Sequence, residues 1–95
     1  MWLLKTAEDA EAPFTFRILP GNIKTMGRSP GAEFVVDAAM VSRLHCRLTA
    51  GATELQVIDL ESTYVTFVKG QRVTQAILKE GDILGVGRVD LVVTR

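Results

Sequence analysis

Arginine and hydroxyl side chains fall in three segments whose composition is typical of loops. These segments are residues 27–28, 41–45 and 61–63. A guanidinium binds a phosphate through two parallel hydrogen bonds, and serine or threonine hydroxyls donate to the remaining oxygens. If the segments converge at one end of the molecule, Arg28, Ser42 and Thr63 could together bind a phosphate dianion.

Ser42 and His45 are also a nucleophile and a base of the kind that hydrolases use. They lie in one apparent loop, without the glycines of a nucleophile elbow and without a second histidine in the chain. Because these features are missing, we predict no catalytic residues and no enzyme activity. Ester hydrolysis that disappears in Ser42→Ala would be needed to support the hydrolase interpretation.

The cysteine and histidine content argues against a metal site. One cysteine and one histidine cannot complete a structural zinc site. Cys46 has no partner for an intramolecular disulfide, so we expect a buried core thiol in a reducing compartment. The sequence therefore predicts no metal, no cofactor and an intracellular location, either cytoplasmic or nuclear.

Length and charge predict one globular domain over residues 1–95, which could be excised from a longer protein. The 11 basic and 11 acidic residues give a net charge of zero, so no general attraction to nucleic acid or anionic lipid is expected. No segment approaches the roughly 18 uninterrupted apolar residues that a membrane helix needs. We expect no nucleic-acid or membrane partner, and a monomer by default.

Alternating apolar and polar residues, separated by turns containing glycine and proline, predict an all-β sandwich or barrel. At residues 14–18, for example, Phe14, Phe16 and Ile18 alternate with polar side chains. Residues 7–12 could be helical but are too few to form a stable helix alone. We place strands near residues 2–5, 14–19, 23–27, 34–36, 46–50, 54–59, 66–68, 71–73, 83–87 and 88–94.

Four motifs, in order along the chain, resemble those of the forkhead-associated (FHA) domain family. They are Gly27-Arg28-Ser29, residues 41–46, residues 59–63 with 66–73, and residues 78–87. Each match alone is weak, but their order and spacing over most of the chain are specific. The resemblance implies a sandwich of eleven strands, six in one sheet and five in the other, that binds a phosphothreonine-containing protein or peptide through loops at one end.

The same resemblance assigns roles to individual residues. It implies that Arg28, Ser42 and Thr63 contact the phosphate and that Arg43 and Tyr64 are candidate contacts to the rest of the phosphopeptide. It also implies that His45 supports the binding loops through hydrogen bonds.

Tyr64 and Val65 depart from the family pattern, which has Asn-Gly at this point. Tyrosine cannot reproduce the paired donor and acceptor of the carboxamide that holds the peptide backbone. A β-branched residue is strained at the positive φ that glycine tolerates, so we expect the loop to run differently and Thr63 to shift with it.

Two functions therefore remain open. The first is a phosphothreonine-binding module that mediates phosphorylation-dependent protein–protein interaction. The alternative is a degenerate FHA domain that acts as a phosphate-independent interaction or assembly module, with Tyr64 as an exposed aromatic anchor.

Overall fold

Two β-sheets packed face to face form the protein. The computed structural model describes residues 1–7 and 13–95, so the predicted helical stretch at 7–12 lies, apart from Ala7, outside the described residues. The strands are β1 (Trp2–Lys5), β2 (Thr15–Ile18), β3 (Ile23–Gly27), β4 (Phe34–Val35), β5 (Cys46–Ala50), β6 (Leu55–Asp59), β7 (Thr66–Val68), β8 (Gln71–Val73), β9 (Gln75–Leu78), β10 (Ile83–Val86) and β11 (Val89–Thr94).

The strand order separates the chain into a six-stranded and a five-stranded sheet. The larger sheet runs β2-β1-β11-β10-β7-β8, and the smaller runs β4-β3-β5-β6-β9. The short pair β3 and β4 is parallel, with Met26 opposite Phe34, whereas β3 and β5 are antiparallel. This architecture confirms the eleven-stranded, six-plus-five sandwich that the resemblance implied.

The core lies between the sheets and is built from the alternate residues of each strand. In β5, for example, Cys46 and Leu48 are fully buried while Arg47 is exposed. Burial, and to a lesser extent the charge of Asp59, raises the pKa of Cys46 to about 12. The predicted buried thiol is therefore confirmed, and it stays protonated at neutral pH.

The alternation missed β9, an edge strand of the five-stranded sheet. β9 pairs with β6, where Leu78 lies opposite Leu55 and both side chains are fully buried. On the outer face, however, Ile77 is 44% exposed, so apolar residues occupy both faces of this strand. The period-two signal is lost because one of the outward residues is not polar.

The described residues contain no helix long and apolar enough to cross a membrane.

Candidate functional site

Two loops that carry candidate residues are joined through their main chains. Arg28 begins the β3–β4 loop (residues 28–33), and Ser42 and Arg43 lie in the β4–β5 loop (residues 36–45). The N–H of Arg28 donates to the carbonyl oxygen of Ser42 at 2.9 Å, and the N–H of Ser29 donates to that of Arg43 at 3.1 Å. The two loops are therefore held as one unit at the same end of the sandwich.

Gly27 allows this close approach. It is the last residue of β3 and is buried. A Cβ atom there would overlap the carbonyl oxygen of Arg43. The glycine before Arg28 therefore sets the distance between the β3–β4 and β4–β5 loops.

Ser42 also reaches the β6–β7 loop (residues 60–65). Its Oγ accepts a hydrogen bond from the backbone N–H of Thr63 at 2.9 Å. The hydroxyl proton of Ser42 is not used in this bond and can be donated to another acceptor. The structure thus brings the main chain at Arg28 and at Thr63 into contact with Ser42.

The Arg28 side chain is exposed but partly fixed in direction. Its Nε donates to the carbonyl oxygen of the buried Val41 at 3.1 Å. This bond leaves the two terminal nitrogens of the guanidinium for an external anion. A side chain positioned in this way needs less ordering when an anion binds.

His45 connects the β4–β5 loop with the β6–β7 loop and is fully buried. Its Nδ1 accepts from the N–H of Ser42 at 3.0 Å, and its Nε2 lies 2.7 Å from the carbonyl oxygen of Val65. With Nδ1 accepting from Ser42, Nε2 carries a proton and donates it to the Val65 carbonyl oxygen. Both ring nitrogens bond to main-chain atoms, so neither is available as a base for the Ser42 hydroxyl, which argues against the hydrolase interpretation.

A second set of hydrogen bonds fixes the start of the β6–β7 loop. The carboxylate of Asp59 accepts from the Ser62 N–H at 3.1 Å, from the Ser62 hydroxyl, and from the Thr66 hydroxyl at 2.8 Å. Burial alone would raise the pKa of Asp59, but these bonds outweigh it and lower the pKa below 3.8. Sequence reasoning missed this role, although aspartate is typical of turns because its side chain bonds to nearby backbone N–H groups.

Val65 takes the positive φ that the sequence predicted it would avoid. Its φ is 59°, and Glu61 in the same loop has a φ of 55°. The N–H of Thr63 bonds to Ser42 Oγ, so this part of the loop lies beside the β4–β5 loop. The hydrogen bond from His45 to the Val65 carbonyl oxygen holds this strained conformation in place.

A cleft of about 600 Å³ adjoins Arg28 on the side of the β3–β4 loop. Its lining residues are Arg28, Ser29, Pro30, Val35, Asp37 and Arg43. The cleft thus unites Arg28 with Arg43, whereas Ser42, Thr63 and Tyr64 are not among its lining residues. Asp37 was missed by sequence reasoning, because nothing in the alternation at the end of β4 marks where its carboxylate lies.

Within residues 1–7 and 13–95, no group of three or more His, Cys, Asp or Glu side chains is placed to hold a metal ion.

Comparison with known proteins gives a family match. A family model described as FHA domain matches residues 24–87. The ABC transporter ATP-binding/permease protein Rv1747 of Mycobacterium tuberculosis is 38% identical over 80 residues, which are 82% of this chain and 9% of that protein. The glycogen accumulation regulator GarA of Mycolicibacterium smegmatis is 35% identical over 66 residues, covering 70% of this chain and 42% of that protein. The chain therefore spans less than half the length of these two relatives.

Among solved structures, the FHA domain of the CT664 protein from Chlamydia trachomatis superimposes with a TM-score of 0.90. The sequence identity is 23%, and the match covers 99% of this chain and 96% of that chain. At this identity the likeness shows a shared fold.

Proposed function

Because the chain belongs to the FHA domain family, whose model matches residues 24–87, we propose that it binds a phosphothreonine-containing protein. FHA domains are non-enzymatic interaction modules, and relatives of this chain bind phosphothreonine peptides in phosphorylation-dependent interactions. Since the chain spans only part of its relatives, the proposal concerns this domain and not the activity of a whole protein.

The observation that carries the proposal is the position of Ser42 between Arg28 and Thr63. The backbone N–H of Arg28 bonds to the Ser42 carbonyl oxygen, and the Ser42 hydroxyl oxygen accepts from the Thr63 N–H. An anion bound beside Arg28 can therefore also accept a hydrogen bond from the Ser42 hydroxyl. In this proposal the terminal nitrogens of Arg28 bind the phosphate and Ser42 donates to one of its oxygens. The Thr63 side chain supplies a further contact.

The remaining candidate residues act on the peptide and on the loops. Arg43, which follows Ser42, and Tyr64, which follows Thr63, are both exposed, and in this proposal they contact the peptide outside its phosphate. His45 is a positioning residue, because its ring fixes the main chain at Ser42 and at Val65. With both ring nitrogens occupied in this way, we propose that the chain catalyses no reaction.

The core between the two sheets is continuous, and on this basis we propose that residues 1–95 act as one domain. We propose further that the domain is a monomer in an intracellular compartment, where its partner can be phosphorylated. Sedimentation of the purified chain tests the oligomeric state.

Titration of a phosphothreonine peptide library against the chain and against Arg28→Ala tests the function. Two charge-assisted hydrogen bonds of about 1.5–3 kcal/mol each predict at least a hundredfold loss of affinity in the variant. Arg17→Ala is the matched control, because Arg17 is an exposed arginine of β2 in the other sheet. Near-equal affinity of Arg28→Ala and the parent chain, or equal binding of the unphosphorylated peptide, would contradict the proposal.

A second function, phosphate-independent binding to another protein, is favoured by Tyr64. This side chain is 47% exposed and stands where the family has the asparagine that holds the peptide backbone. No binding of any phosphothreonine peptide at millimolar concentration would favour this alternative. If the chain has lost only the asparagine contact to the peptide backbone, the double substitution Tyr64→Asn with Val65→Gly should then restore measurable affinity.

A further inference from the structure

The cleft beside Arg28 continues away from the phosphate site described above. Arg28 lines the cleft and also bonds to the loop that carries Ser42. A peptide whose phosphate is held by Arg28 and Ser42 therefore has room for a neighbouring side chain in this volume of about 600 Å³. This space is much larger than a phosphate group requires.

Asp37 gives this cleft an acceptor without an internal partner. Its side chain is exposed, and the ion pairs among the described residues are Lys24 with Glu33 and Lys69 with Asp82. Asp37 thus forms no ion pair with Arg28 or Arg43, although all three line the cleft. Its carboxylate is available to a ligand.

The charge of the cleft changes sign when phosphate binds. Two guanidinium groups and one carboxylate leave the empty cleft with an excess of positive charge. A phosphothreonine brings about −1.5 to −2 charges at neutral pH, which exceeds that excess. After the phosphate is bound, the remaining potential near Asp37 favours a cation and disfavours an acidic side chain.

The uncharged walls suit a long side chain with a charged end. Pro30 and Val35 line the cleft, and Val35 is 37% exposed although it belongs to a strand. Lysine and arginine cover apolar surface with their methylene groups while their charged ends reach a carboxylate. An aspartate or glutamate has a shorter stem and the wrong charge.

We propose that the cleft binds a lysine or arginine of the same phosphopeptide, with Asp37 pairing its charge and Pro30 and Val35 packing against its stem. Asp37 is then the specificity-determining residue of the domain, and its preferred ligand carries a phosphothreonine and a nearby basic residue. This inference rests on the proposed function, because it requires the phosphate to be bound at Arg28.

A charge scan of the peptide tests the inference. Lysine, alanine and glutamate are placed in turn at each position flanking the phosphothreonine, and affinities are measured by fluorescence anisotropy. At one or more positions we expect lysine to bind about two- to fivefold more tightly than alanine, the range of an exposed ion pair, and glutamate to bind more weakly. Asp37→Asn should abolish this preference while the requirement for phosphate remains.

Asp90→Asn is the matched control, since Asp90 is an exposed aspartate on β11 in the other sheet. It should leave the preference for lysine unchanged, and thermal unfolding confirms that both variants are folded. The inference is overturned if phosphate-dependent binding shows no charge preference, if it favours glutamate through Arg43, or if the preference survives in Asp37→Asn. If no phosphothreonine peptide binds at all, the proposed function fails first and the inference fails with it.

Discussion

The backbone N–H of Thr63 donates a hydrogen bond to Ser42 Oγ over 2.9 Å and so connects the β6–β7 loop to the β4–β5 loop. This contact determines what the serine can do, because a hydroxyl has one proton and accepts through its lone pairs. With the oxygen accepting from Thr63, the hydroxyl proton can be donated to a ligand. The Thr63 N–H, by occupying a lone pair of Ser42 Oγ, thereby favours the Ser42 hydroxyl as a hydrogen-bond donor.

Ser42→Ala should weaken phosphopeptide binding by about ten- to a hundredfold, the loss of one hydrogen bond to a charged group. The unfolding free energy should change by less than about 1 kcal/mol, because Thr63 is exposed and its N–H can bond to water. Peptide titration and urea denaturation measure the two effects separately. Thr53→Ala, at an exposed turn position, is the control, and wild-type affinity in Ser42→Ala would show that the hydroxyl does not contact the phosphate.

His45→Ala should destabilise the domain by about 2–4 kcal/mol. The substitution removes the partners of the Ser42 N–H and the Val65 carbonyl oxygen and leaves a cavity in a fully buried site. Urea denaturation measures the loss of unfolding free energy. Hydrogen exchange of the Ser42 amide should become faster than in the parent chain, whereas exchange of strand amides should change less.

His45→Asn separates packing from hydrogen bonding, because a carboxamide retains one donor and one acceptor. It should be less destabilising than alanine. Equal stability of the parent chain and His45→Ala would show that the ring does not hold the two loops together.

Val65→Gly should raise the unfolding free energy by about 0.5–1 kcal/mol. A non-glycine residue at a φ of 59° is strained by about 1–3 kcal/mol. Glycine removes this strain but loses part of the gain through its larger backbone entropy in the unfolded chain. Val73→Gly in β8, where φ is not positive, should instead destabilise the domain. A loss of stability in Val65→Gly would mean that burial of the valine side chain outweighs the strain.

The alternation of residue types was sufficient to predict an all-β sandwich or barrel, because most strands bury one face and expose the other, and the family resemblance favoured the sandwich. It failed at β9, where Ile77 is an exposed apolar residue. The resemblance supplied the count of eleven strands that periodicity had missed. The period-two alternation indicates which face of a strand is buried. It does not reveal a strand whose outer face also carries apolar residues.

The candidate site was predictable where residue type limits chemistry, as at Arg28 and Ser42. It was not predictable at Asp37, whose importance depends on which loops line one cleft. Val65 was predicted wrongly because a local preference against positive φ was given more weight than the hydrogen bond from His45. Tertiary contacts of this kind are absent from a local pattern.

Acid should destabilise the domain through Asp59, whose pKa is lower in the folded than in the unfolded chain. Burial raises this pKa, and the hydrogen bonds from Ser62 and Thr66 lower it by more. A group with a depressed folded pKa contributes its full stability above its unfolded pKa, and that stability is lost as the pH falls through the folded value. The contribution of Asp59 is therefore constant near neutral pH, decreases as the pH falls below the unfolded value of 3.8, and is lost below the lower folded value.

Urea denaturation of the parent chain and Asp59→Asn between about pH 3 and pH 7 measures this contribution. Asp59→Asn should be less stable near neutral pH by about 1 kcal/mol or more, because an amide accepts the Ser62 and Thr66 bonds less well than a carboxylate. The difference between the two proteins should narrow as the pH falls, whereas Asp90→Asn should follow the parent chain throughout. A constant difference over the whole range would show that the ionised form of Asp59 is not what holds the start of the β6–β7 loop.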